Sequence, residues 1–214
     1  MKLGLISDIH SNIYGLMSVL NELESCDAIL CAGDITGYYT FVNEVFEALE
    51  NHDVIFIRGN HDELLLRESF EGLSPLHTHS LEYTKSKITR DNLETLEKTP
   101  NVYRGVFDGI KLIMLHKNNG GPHHNTDLMV YGHSHISSIK RDNGVIVIDP
   151  GSCGQSRDGD PRASYGVFHT DTKKVVFGRA KYDIGKVTEA GKKEGIHPKF
   201  IEILNRKNSG APHD

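Results

Sequence analysis

Five places in the chain set metal-ligating side chains at the end of a short apolar run. Asp8-Ile9-His10 follows residues 2–7, Gly33-Asp34 follows 28–32, and Gly59-Asn60-His61-Asp62 follows 54–57. His116 follows residues 112–115, and Gly132-His133-Ser134-His135 follows 128–131. Asp8 and His10 are two apart, and residues i and i+2 of an extended segment point to one side, so one ion can take both. The same spacing joins His133 and His135. Gly33 and Gly59 let the backbone bend sharply where their strands end. Asp8, His10, Asp34, Asn60, His116, His133 and His135 make seven donors, too many for one ion. They fit two ions ~3.5–4 Å apart on a bridging carboxylate, with Asp34, central among the strands, as the bridge. Such a pair suits hydrolysis of a phosphate ester. Mixed imidazole, carboxylate and amide donors without thiolate suit manganese, iron, zinc, nickel or cobalt rather than magnesium or calcium, and two such ions, with manganese named first, are the cofactors expected.

The elements that must position these groups alternate. Apolar runs at 2–7, 28–32 and 54–57 read as strands, and between them residues 12–24 and 41–50 carry apolar positions at helical spacing. This order predicts a parallel sheet, whose ligands bind beyond the carboxyl ends of the strands. Residues 63–100 read as a helical flank without a motif, and its His77 and His79 read as solvated. From 101 the pattern changes to short strands: 103–107 and 111–115 joined by Asp108-Gly109, then 128–131, 144–149, 165–169 and 175–179. A second sheet packed on the first, with helices outside, is the α/β fold expected. Residues 181–214 read as an extension with a helix at 198–205 and a disordered end from 207.

Composition narrows the class. A length of 214 residues suits one domain. Acidic residues outnumber basic ones, 29 to 24, which leaves no general basic footprint for nucleic acid. Three scattered cysteines, Cys26, Cys31 and Cys153, suit neither a disulfide framework nor a cysteine-rich zinc site. No apolar run approaches the ~20 residues of a membrane span, and the chain opens on a strand without a secretory leader. A cytoplasmic location is the expectation.

The order of Asp-x-His, Gly-Asp, Gly-Asn-His-Asp and Gly-His-Ser-His, each at a strand end, resembles the calcineurin-like metallophosphoesterase superfamily. The resemblance covers residues 1–180 and includes Asp149-Pro150-Gly151-Ser152 and the segment 155–165. That segment is similar to the small bacterial and archaeal phosphoesterases grouped with diadenosine tetraphosphatases. The resemblance implies a four-layer αββα sandwich of two mixed sheets. It implies one ion on Asp8, His10, Asp34 and His135, and another on Asp34, Asn60, His116 and His133. His61 would be the catalytic imidazole that holds no ion and serves the leaving group or the developing charge. A hydroxide bridging the ions would attack phosphorus in line.

The chain departs from the pattern in two places. Ile35-Thr36-Gly37-Tyr38 stands where the Ser/Thr protein phosphatases carry Asp-Arg-Gly, which removes an arginine and a carboxylate partner for His61. Lys117 follows His116 where the family has glycine, in a loop with His123 and His124; it reaches the substrate phosphate or is a solvated lysine. Arg157 and Arg162 are candidate phosphate clamps, or they pair with Asp158 and Asp160. Tyr38 and Tyr39 stack on a leaving group or pack the rim. The substrate expected is a small or nucleotide-like phosphodiester, with a phosphomonoester or a dinucleotide polyphosphate as the alternative and a scaffold role more remote.

Overall fold

The computed structural model describes residues 1–118 and 125–204. His123, His124 and the end expected to be disordered lie outside them. The chain begins with strand β1 (Lys2–Ile6), helix α1 (Ile13–Glu22), β2 (Ala28–Cys31), α2 (Val42–Asn51) and β3 (Ile55–Phe56). β1 is apolar and buried along nearly its whole length, as suits a strand covered on both faces. α1 starts where the Asn12 side chain accepts the Gly15 N–H at 3.0 Å. α2 turns Val42, Val45, Phe46 and Leu49 inward.

The flank consists of α3 (Asn60–Leu65), α4 (Pro75–Lys87) and α5 (Arg90–Lys98). Ser74 and Thr89 cap α4 and α5. α3 begins at Asn60, earlier than the periodicity suggests, so Asn60, His61 and Asp62 form its first turn.

Next come β4 (Val102–Phe107) and β5 (Ile110–Leu115), closed by Asp108 and Gly109 at φ 50° and 79°. These are followed by β6 (Leu128–Val130), β7 (Ser138–Asp142), β8 (Val145–Asp149), β9 (Ala163–His169), β10 (Lys174–Ala180), α6 (Ile184–Glu194) and α7 (Pro198–Leu204). Two elements were not expected. β7 is exposed throughout and shows no apolar alternation; the Asn143-Gly144 turn, φ 48° and 86°, folds it onto β8. α6 is bounded by an Asp183 cap and a left-handed Gly195, the punctuation that does mark it in the sequence.

The strands form two mixed five-stranded sheets, ordered β10-β9-β1-β2-β3 and β4-β5-β6-β8-β7. β1, β2 and β3 run parallel in the first, and β5, β6 and β8 in the second. Leu3, Leu5 and Leu30 of the first sheet, with Ile57 just past β3, meet Leu112, Met114, Leu128, Val130 and Ile148 of the second in a buried core. Truncating Leu5 or Leu30 to alanine would cost about 2–5 kcal/mol. A second core lies between the first sheet and helices α1 and α2. The result is an α/β sandwich of two sheets flanked by helices, as expected. α6 and α7 fold back against Tyr38 and Tyr39. No helix among the described residues is long and apolar enough to cross a membrane.

Candidate metal centre

The carboxyl ends of β1, β2, β3, β5 and β6 bring their terminal residues to one place. The local geometry differs from the extended segments expected. Asp8, His10, Asp34, His133 and His135 all have left-handed backbones, with φ 54°, 49°, 54°, 73° and 61°. Each costs about 1–2 kcal/mol. They persist because neighbouring loops lock them: Asp8 N–H donates to Gly33 O at 2.9 Å, His10 N–H to Asp34 O at 3.0 Å, and Gly154 N–H to Asp8 O at 3.1 Å. Asp8 and His10 therefore share a target through paired tight turns, and not through strand periodicity. Gly59 also differs from expectation. Its backbone is extended, and its missing side chain is what lets Asp34 lie against it.

Three imidazoles are anchored through Nδ1, which in the neutral His10 and His135 fixes the tautomer. His10 Nδ1–H donates to Thr36 O at 3.1 Å, His116 Nδ1–H to Ala32 O at 2.8 Å, and His135 Nδ1–H to Gln155 O at 2.5 Å. A carbonyl only accepts, so the proton sits on Nδ1 and Nε2 is turned to the centre. His10 Nε2 lies 3.2 Å from His135 Nε2 and 3.7 Å from Asp34 Oδ2, and His135 Nε2 lies 3.4 Å from Asp8 Oδ1. These are lone pairs facing lone pairs, an arrangement that repels itself until a cation enters. On the other side, His116 Nε2 is 3.3 Å from Asp34 Oδ2, and Asn60 Oδ1 is 3.1 Å from His116 Nε2 and 2.8 Å from His133 Nδ1. The donor set fits divalent ions. Asp8, His10 and His135 form one group of converging ligand atoms, Asp8, Asp34 and His116 a second, and His10, Asp34 and His61 a third.

Charge in this pocket is tightly balanced. Burial pushes the Asp8 carboxyl up to about 7, with Asp34 and Asp149 adding to the rise. Burial also pushes Asp34 upward, but His116 and His61 hold it well below the usual carboxylate range. Burial alone would lower His116, and the Asp34 carboxylate overrides it and raises the imidazole to about 10. Burial lowers His10 and His135, the latter to about 3, so both are neutral near pH 7, the form in which an imidazole can take up a metal.

Residues 1–173 match the Calcineurin-like phosphoesterase superfamily domain. The chain belongs to this superfamily. It is a metal-dependent phosphoric ester hydrolase, and the superfamily uses divalent metal ions. An uncharacterized protein of Methanocaldococcus jannaschii is 32% identical over 219 residues, covering 87% of this chain and 90% of that protein. A metallophosphoesterase from Sphaerobacter thermophilus has 26% identity and a TM-score of 0.83, covering 96% of this chain and 99% of its own. A hypothetical protein from Pyrococcus horikoshii shares the fold, with a TM-score of 0.88 at 18% identity over 97% of this chain and 98% of its own.

The other predicted site residues of this phosphoesterase fall into distinct surroundings. His61 is buried beside His10, its ring 4.8 Å from that of His10 and its backbone N–H 2.8 Å from Asp34 Oδ1. Its Nδ1 is buried with no partner among the described residues. Burial lowers its pKa to about 4. Arg157 is half-buried, and its charge is felt at His10, His61, His133 and His135. Arg162 is instead 45% exposed, and its side-chain hydrogen bonds among the described residues all go to Asp160. Lys117 is exposed and close enough to lower His133.

Sequence reasoning missed several supports of the centre. The buried Asp62 carboxylate accepts from Ile35 N, Thr36 N, Thr36 Oγ1 and Gly59 N, tying the Gly-Asp loop to the start of α3. Its position two residues after Asn60 was the available signal. Asp149 accepts from Ser134 Oγ at 2.6 Å and steadies the turn carrying His133 and His135. His77, expected to be solvated, is half-buried with its ring 5.6 Å from that of His61; nothing local in its sequence reveals this.

Proposed function

We propose that this chain is a dinuclear phosphodiesterase acting on a small or nucleotide-like phosphate ester. The observation that carries the reading is Asp34, whose Oδ2 lies 3.7 Å from His10 Nε2 and 3.3 Å from His116 Nε2, between two sets of donors. Asp8, His10 and His135 complete one ion site around it, and Asn60, His116 and His133 complete the other. Divalent ions, manganese foremost, supply Lewis acidity toward the phosphoryl oxygens and make a hydroxide nucleophile available near neutral pH. The residues of the chain do the rest. Arg157 has no carboxylate partner at ion-pair distance among the described residues, so its guanidinium is available for a phosphoryl oxygen. Arg162, already bonded to Asp160, has no part in this reading.

His61 serves the oxygen that gains charge as the ester bond breaks. Its pKa of about 4 makes it a neutral imidazole near pH 7, so it acts as a hydrogen-bond donor and not as a standing general acid. The test is hydrolysis of bis-p-nitrophenyl phosphate and p-nitrophenyl phosphate by metal-stripped protein reconstituted with Mn, Ni, Co, Zn or Mg. Metal-dependent turnover that prefers the diester and is lost in Asn60→Ala supports the reading. Preference for the monoester replaces it with a phosphomonoesterase. His61→Ala should keep its bound metal and lose about 10²–10³-fold in kcat; full turnover in that variant removes the role given to His61.

A further inference from the structure

The matched family domain ends at residue 173, and α6 and α7 lie beyond it. α7 nonetheless reaches the centre through one side chain. The Phe200 ring stacks on Tyr38 at 4.7 Å and 29°, and the opposite side of the stack has Tyr38 on His10 at 4.1 Å and 30°. Tyr38 also meets His61 edge-on at 4.7 Å, and its hydroxyl accepts from Arg157 Nη2 at 3.3 Å. Phe200 is 2% exposed and Tyr38 6% exposed, so both rings of the stack are buried. The backbone of the same helix is tied in as well. Gln155 Nε2 donates to Tyr39 Oη at 2.9 Å, and Tyr39 Oη donates to Phe200 O at 3.4 Å.

We propose that Phe200 and Tyr38 are positioning residues that aim Arg157 at the substrate phosphate. The extension beyond the family domain thereby becomes part of the active site. Arg157 needs such an aim. Its remaining side-chain bond among the described residues is a long one, 3.5 Å to Gln155 Oε1, and the residue lines a crevice between the 156–161 loop and α7 bordered by Pro161, Ile203 and Leu204. A long guanidinium side chain with space on that side loses rotamer freedom only if something holds it. Tyr38 Oη supplies the hold, and the flat face of Phe200 keeps Tyr38 from tilting toward α7. Tyr38 is itself pinned at the backbone, with φ 53° and its N–H on Ser80 Oγ at 2.8 Å. Only its ring is left for α7 to fix.

The inference rests on the phosphoesterase reading, and the two can fail separately. Turnover of bis-p-nitrophenyl phosphate by the native, metal-loaded chain tests the reading. The positioning role is tested by a double-mutant cycle on the affinity of the metal-loaded full chain for inorganic phosphate, measured by calorimetry with metal content checked in each variant. Arg157→Ala should weaken phosphate about tenfold. Phe200→Ala should weaken it several-fold, and adding Phe200→Ala to Arg157→Ala should cost almost nothing more. Tyr38→Phe removes one hydroxyl and leaves no cavity, so it tests the idea even if Phe200→Ala folds poorly; it should lose about three- to fivefold. Phe200→Tyr, which keeps the ring, should recover most of the affinity. In kinetics the same variants should raise KM more than they lower kcat. Additive losses in the cycle overturn the proposal, as do a Tyr38→Phe protein with native phosphate affinity and a native chain that binds no phosphate.

Discussion

On the dinuclear reading proposed above, the two halves of the metal centre are built differently. Asp8, His10 and His135 are fully or almost fully buried, and both imidazoles of that half are anchored to backbone carbonyls through Nδ1. The other half shares one such ligand, the buried His116 held on Ala32 O, but adds Asn60 and His133, both only half-buried; His133 turns Nδ1 inward, and an exposed Lys117 stands near it. A ligand locked by a second hydrogen bond loses little entropy when it takes up a metal, and a half-exposed ring loses more. The first half is therefore a preorganised seat and the second a more open one. Asp34 joins them, and the consequences of this asymmetry can be measured.

Removing the joint should have the largest effect. Asp34→Asn takes the shared charge from both seats, and kcat should fall by about 10³-fold or more with metal content reduced at both positions. A variant that kept two ions and native turnover would show that Asp34 is not the bridge. The next effect separates the halves. After reconstitution and dialysis against a weak chelator, elemental analysis should find that native protein loses one ion well before the other. His133→Ala should retain the slowly lost ion, whereas His135→Ala should lose it. Equal loss from both variants would erase the distinction drawn here.

pH should sharpen the comparison, because only the second half contains an imidazole held in its charged form. Asp34 raises His116 to about 10, so an ion must displace a proton from it at neutral pH. Metal affinity on that side should rise by up to about tenfold per pH unit as pH increases toward 10. His10 and His135, already neutral, should add no such dependence near pH 7, so the first half depends on pH only through Asp8 and levels off above about 7. Calorimetry in buffers of different ionisation enthalpy would count the protons. Release of none on filling the second seat would contradict the charge given to His116.

Much of this centre is legible in the sequence because residue type and order survive folding. Asp8, His10, Asp34, Asn60, His116, His133 and His135 stand at strand ends, and strands of this composition bury together whatever their exact turns. The backbone that aims them is less legible. A left-handed φ at Asp8 or His10 depends on bonds to Gly33 O and Asp34 O, which come from another loop. β7 escaped notice because periodicity reports burial, and β7 has none. The Phe200–Tyr38 stack joins residues far apart in the chain, and nothing in the local sequence of either names the other.

The smallest effect concerns the turn that the two halves share, since His133 belongs to one and His135 to the other. Ser134, between them, donates to Asp149 at 2.6 Å. Burial raises Asp149 from 3.8 to about 6, and the Ser134 hydroxyl is the leading influence pulling it back down. A carboxyl with a raised pKa in the folded state holds its proton more firmly there, so its contribution to stability is complete below about 4 and is lost as pH rises through 6. Ser134→Ala removes the hydrogen bond that favours the charged form. It should therefore cost little at pH 5, where Asp149 is mostly protonated, and about 1 kcal/mol at pH 8, where a buried carboxylate loses its donor. Urea denaturation of the metal-free protein at the two pH values measures the difference. Equal costs at both would mean that Ser134 supports the turn by shape alone, and that the charge on Asp149 has no part in holding the two histidines in register.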